Sequence, residues 1–172
     1  IWASNYNNYV DSMNYIATLT SLKSQASEYL MLGRMLRPPV IDAATLPVLT
    51  SGNVTLPAIM ASVWQNQNGQ LALAVTNMNK ITQSPLTFNV EMDLDEYGVK
   101  TAGNYDLYEF GNPALIIHST SSRLLQFSLT LSSKEAKVYE LSVPVCSGFS
   151  LSDTNLDCVV NLDDFWDMAD DW

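Results

Sequence analysis

Apolar side chains at Tyr15, Ile16, Leu19, Leu22, Ala26, Tyr29 and Leu30 recur every three or four residues. That is the period of an amphipathic helix with one face to bury, and it predicts a helix over 11–36. Pro38 and Pro39 end the pattern, because proline cannot donate to the helical ladder and restricts the residue before it. No second helical pattern follows directly to cover the apolar face. The segment therefore reads as the last helix of a larger domain upstream, with a linker over 41–52.

Beyond the linker the pattern shifts to short alternating runs. "PAIMASVWQ", "NQNGQ" and "LALAVT" spell a hairpin: Asn68-Gly69 suits a turn with positive φ, and Leu71, Leu73 and Val75 share one face. Further strands are predicted over 86–92, 105–110, 114–118, 124–131 and 137–143. Short strands separated by Gly, Asn, Pro and Ser point to a mainly β fold, an antiparallel β-sandwich. Past Val143 the residues Pro144, Ser147 and Gly148 loosen the chain, and Phe165, Met168, Ala169 and Trp172 then fall on one helical face. The expected organisation is a terminal helix and linker over 1–50, the sandwich over 51–145, and a loop with one helix over 146–172.

Charge sharpens that last boundary. Of 172 residues, 8 are Lys or Arg and 18 are Asp or Glu, a formal net charge of -10. Residues 1–137 hold all 8 basic and 10 acidic residues, a net of -2; residues 138–172 hold the other 8 acidic residues and no basic one, a net of -8. Nucleic acid and anionic membranes are thereby disfavoured as partners. No stretch approaches the ~18 consecutive apolar residues of a membrane span, and no signal peptide opens the chain. The start at Ile1, almost directly in a helical pattern, reads as a piece of a longer or processed protein. Cys146 and Cys158 are too few for a disulfide scaffold. They are open to two readings, one local bridge in an oxidising compartment or a pair of small apolar side chains.

The acidic tail contains "DTNLDCVVNLDD". Calcium takes six to eight oxygen ligands, and a twelve-residue loop supplies them from positions 1, 3, 5, 7, 9 and 12. With Asp153 first, those positions are Asp153, Asn155, Asp157, the Val159 carbonyl, Asn161 and Asp164. Every slot carries an oxygen donor. Val160, at position 8, supplies an apolar anchor, and position 12 opens the exiting helix. The competing reading is a solvated Asx-rich turn that caps this helix. Position 6, usually glycine, is Cys158, which costs backbone strain if it takes positive φ.

"SDTNLDCVVNLDDFWDMADDW" resembles a type I dockerin repeat, and more closely the single "DxNxDCVVxxxDF" tails of secreted bacterial proteins. The resemblance implies bound Ca2+, a secreted or cell-surface location, and a disulfide between Cys146 and Cys158, since an upstream cysteine often accompanies the loop cysteine in such tails. It also raises a cohesin-like or cell-surface partner, although dockerins that bind cohesin use two repeats and one is visible here. "YLMLGRMLRPP", "VWQNQNGQLALAVTN", "EYG", "YDLYEF" and "SLTLSSKEAKVYEL" are similar to the end of a barrel-type glycoside hydrolase, where the last barrel helix meets a β-sandwich. That likeness implies a catalytic barrel of the same chain as partner, polysaccharide as the parent's ligand, and no catalysis by this region itself. The alternatives are a carbohydrate-binding sandwich and a stand-alone surface or adhesion domain.

Other candidate chemistry is sparse. Glu91, Asp93, Asp95 and Glu96 alternate with, or follow, Met92 and Leu94, which reads as the solvent face of a strand entering a turn at Gly98 and not as a glycosidase acid pair. His118, the single histidine, lacks a nucleophile pattern beside it. Gly33, Arg34 and Arg37 are expected to fasten the helix end to the sandwich. Trp64, Tyr105 and Tyr108 would make a sugar-stacking platform only if they shared a face, and the odd spacing of the two tyrosines opposes that. Asn53 begins a glycosylation-type "NVT", left unassigned.

Overall fold

The alternating runs form antiparallel sheets in a computed structural model that describes residues 2–42, 46–79, 85–101 and 103–143. Helix α1 (Trp2–Gln25) and the short α2 (Ser27–Leu30) precede eleven strands: β1 (Arg34–Met35), β2 (Val40–Ile41), β3 (Val48–Ser51), β4 (Val54–Pro57), β5 (Ile59–Gln65), β6 (Leu71–Asn77), β7 (Leu86–Asp93), β8 (Tyr105–Glu109), β9 (Ile116–Thr120), β10 (Leu124–Leu131) and β11 (Ala136–Ser142). A 3₁₀ turn, Leu94–Tyr97, follows β7. The described strands make a six-stranded sheet in the order β1-β5-β6-β11-β8-β9, a three-stranded sheet in the order β10-β7-β2, and the separate ribbon β3-β4. Every pairing among them is antiparallel. The fold is mainly β.

Period-two alternation places the core. Val63, Leu71, Leu73, Val75, Tyr105, Leu107, Tyr139 and Leu141 of the larger sheet are buried in one cluster with Phe88, Val90, Met92, Leu125, Phe127, Leu129 and Leu131 of the smaller. The two sheets thus share one interior, and each fully buried Leu, Val or Phe contributes ~1.5–3 kcal/mol relative to exposure.

The larger sheet is also covered on its outer side. Ala26 and Tyr29 are buried against Ala72 and Val138, with Leu22, Leu30, Trp64, Ala74 and Phe110 around them. Alanines at 72 and 74 leave room for the helical segment to approach β6. The Tyr29 hydroxyl donates to Glu140 Oε1 at 2.7 Å, and the Tyr15 and Thr76 hydroxyls meet at 2.5 Å. The C-terminal part of the helical segment therefore finds its partner in the following sequence, contrary to the expectation from periodicity. Met13 and Ile16 stay exposed.

The end of the helix also departs from expectation. It stops at Gln25 and, after α2, turns at Gly33 before the prolines. A Cβ at Gly33 would lie 2.4 Å from the Tyr29 carbonyl oxygen and 2.7 Å from that of Gln65, so only glycine lets this turn lie on β5. Arg34 and Met35 then pair with Gln65 and Trp64, and Leu36 N–H donates to the Val63 carbonyl at 2.8 Å. Sheet pairing overrides the helix expected to continue to 36. Val40–Ile41, at the start of the expected linker, pairs with β7, and Val48–Ser51 within it pairs with β4.

The β5-β6 hairpin closes as predicted, through a loop over 66–70. Gly69 takes φ 83°, while Asn66 Oδ1 accepts from the N–H groups of Asn68 and Gln70 at 3.0 and 2.9 Å. An Asx turn at Asn66 shapes the loop, with Gly69 as its left-handed residue.

Candidate binding surface

On the outer face of the smaller sheet, alternation sets exposed Thr87 and Asn89 and half-buried Glu91 and Asp93 from β7 beside exposed Gln126, Ser128 and Thr130 from β10. Register sets Thr87 opposite Thr130, Asn89 opposite Ser128 and Glu91 opposite Gln126. Each of these pairs is hydrogen-bonded: the threonine hydroxyls lie 2.9 Å apart, Ser128 Oγ donates to Asn89 Oδ1 at 2.6 Å, and Gln126 Nε2 donates to Glu91 Oε2 at 2.7 Å. Val40, Ile41 and Asp42 complete an open groove of about 660 Å³ over Asn89, Glu91, Gln126 and Ser128. Its lining holds hydroxyl, amide and carboxylate groups and no basic side chain. Such a surface can exchange hydrogen bonds with a neutral polar ligand, but each ligand bond must compete with a pair already made.

The acidic run at the end of β7 has structural partners. Asp93 Oδ1 accepts from Asp95 N–H at 3.0 Å and caps the 3₁₀ turn, which Gly98 closes at φ 73°. Asp95 pairs with Arg123 at 2.5 Å and Glu96 with Arg37 at 2.8 Å. Met92 and Leu94 are buried, so the solvent-face reading of the run holds. Arg123 also donates to the carbonyls of Lys100, at 3.3 Å, and of Val99, while Tyr105 donates to Thr101. Its hydrogen bond to Asp95 holds the guanidinium above its usual pKa. The group ties the 95–101 segment to the start of β10.

His118, half-buried, stacks on Phe127 with ring centroids 5.4 Å apart. It closes the core where β9 lies over β10. Arg34 Nη2 donates to Gln65 Oε1 at 2.9 Å, and with Arg37 on Glu96 and Gly33 against Gln65 these three residues fasten the helix end as expected. Tyr105 is fully buried inside the core while Tyr108 is only half-buried, so the two do not join in a platform. Trp64 is half-buried beside α2 and donates to Ser62 Oγ at 2.8 Å. Asn53 lies exposed in the turn between β3 and β4.

Among the described residues no group of three or more His, Cys, Asp or Glu could hold a metal ion. The expected calcium ligands Asp153, Asn155, Asp157, Val159, Asn161 and Asp164, and the cysteines Cys146 and Cys158, lie outside the described residues. No described helix is long and apolar enough to cross a membrane. Asn89, Gln126 and Ser128 escaped the sequence reading: the alternation within each strand was visible, but not the pairing that sets them side by side. A scan against protein-family models finds no match, and comparisons with curated proteins and with solved structures find none either.

Proposed function

We propose that this chain is the non-catalytic C-terminal region of a secreted, carbohydrate-active protein: a helix and β-sandwich that support a catalytic barrel, followed by a calcium-binding, dockerin-like attachment module. One observation carries the reading. In residues 153–164 every ligand position of a twelve-residue calcium loop holds an oxygen donor, and an amphipathic helix pattern follows. The helical segment seated on the sheet, with Met13 and Ile16 left exposed, supports the supporting role, since it offers an apolar surface beside the sandwich. The structural work found for Glu91, Asp93, Asp95 and Glu96 agrees with a region that leaves catalysis to its parent.

Calorimetric titration of the chelator-stripped protein with calcium tests the proposal, beside Asp153→Ala and Asp157→Ala. One saturable site in the ~0.1–1 mM range of extracellular modules, or tighter, is expected, and both substitutions should abolish it. Absence of binding heat together with an unchanged melting temperature in calcium would sink the metal loop and the attachment role with it.

A further inference from the structure

Strand β10 ends its sheet, and among the described residues nothing pairs with its outer side. The direction of its peptide groups follows from two hydrogen bonds. Leu94 N–H donates to the Arg123 carbonyl at 2.9 Å and Asp42 N–H donates to the Asn89 carbonyl at 3.3 Å. Even-numbered residues of β7 therefore bond toward β10, and their partners are the odd-numbered residues of β10. The N–H and C=O groups of Leu124, Gln126, Ser128 and Thr130 point out of the sheet. Among the described residues only the first has a local partner, Ser122 Oγ, which accepts from Leu124 N–H at 3.2 Å.

Natural sheets protect such an edge with a charge, a proline, a bulge or brevity. The other described edges of the two larger sheets follow that rule: β1 and β2 are two residues each, and β9 carries a register shift between Leu107 and Tyr108 of its neighbour. β10 has none of these devices. It runs eight residues, "LLQFSLTL", with continuous register, no proline and no charged residue.

We infer that β10 pairs antiparallel with β10 of a second copy about a two-fold axis at Phe127, joining two three-stranded sheets into one. Two features select a second copy. First, the strand matches itself. In this register Gln126 faces the partner copy's Ser128, and Leu124 faces Thr130, so each outward peptide group meets another outward one along the whole strand. Two chains of net charge -10 can approach here because no residue of β10 brings a like charge against its mate. Second, the interior continues across the axis. Phe127, 8% exposed, is the most exposed of the β10 core side chains, and it would lie directly against its own copy.

Sedimentation equilibrium and amide exchange on the full 172-residue chain, at low and high concentration, test the inference. A dimer is expected, with the amides of Gln126, Ser128 and Thr130 slowing as concentration rises. Ser128→Pro, which removes one outward donor, and Gln126→Lys, which sets two like charges beside the axis, should each weaken the dimer by about tenfold or more. Gln126→Lys falls on an exposed position where an ammonium can take over the bond to Glu91 Oε2, so it reports even where the proline disturbs folding. Concentration-independent protection would mean that the chain covers its own edge. That result, a monomer without protection, or a dimer indifferent to Gln126→Lys would each overturn the inference.

Discussion

Gly33 shows how one atom decides a chain path. Its turn lies so close to the Tyr29 and Gln65 carbonyls that any Cβ collides with backbone on both sides. Gly33→Ala should therefore cost about 1–3 kcal/mol, the range of overpacking, read as a lower midpoint in urea. An unchanged midpoint would show that the turn yields freely. This constraint was hidden in the sequence, where Gly33 was expected only to help fasten the helix end to the sandwich. The carboxylates behaved differently. Their alternation with Met92 and Leu94 announced an outward face, because period two is a local property. Their partners were not legible, since Arg37 lies 59 positions from Glu96 and Arg123 lies 28 from Asp95.

At the scale of elements, the strands that carry the core were readable and the short ones were not. Leu124–Leu131 has its predicted bounds, and β7, β8, β9 and β11 are displaced by a residue or two. β1 and β2, two residues each, are too short to show a period, and the sequence reading makes the helix too long because it ends it at Pro38 and Pro39. The seat of α2 on β11 carries a pH signature. Burial and the nearby Glu140 raise the Tyr29 phenol well above its ordinary pKa of 10, burial raises Tyr97 to about 12, and burial, foremost, raises Tyr139 and Tyr108 as well. Each phenol holds its proton more tightly folded than unfolded. The stability this contributes is complete below pH 10 and fades as pH climbs above it toward the folded values. Unfolding free energy should accordingly fall as pH rises from about 10 to about 12, and Tyr29→Phe, which has no proton to lose, should fall less steeply. Parallel slopes for the two proteins would remove Tyr29 as a source of the alkaline loss.

Across the whole molecule, charge and fold are divided unevenly. The paired sheets are built from 34–142, which hold 7 basic and 9 acidic residues, while 143–172 hold 7 acidic residues and no basic one. A calcium loop could be proposed from the sequence because its expected ligands fall within twelve residues; the polar groove could not, because it needs strands more than thirty positions apart. On the proposed reading of the tail, Cys146 and Cys158 are bridged, and the intact protein should gain about 2 Da on reduction, the two hydrogens of an opened disulfide. An unchanged mass would leave two thiols.

The place of β11 has a further consequence. It is the last described strand along the chain, yet it lies between β6 and β8 in the middle of the larger sheet. A chain emerging from the ribosome can zip β5 to β6 and β8 to β9 early, but each hairpin then waits with an open side for the same late arrival. The larger sheet is completed by insertion and not by growth at its rim, so it becomes whole in one step only once β11 has emerged, and until then it depends on whatever shelters its unfinished halves.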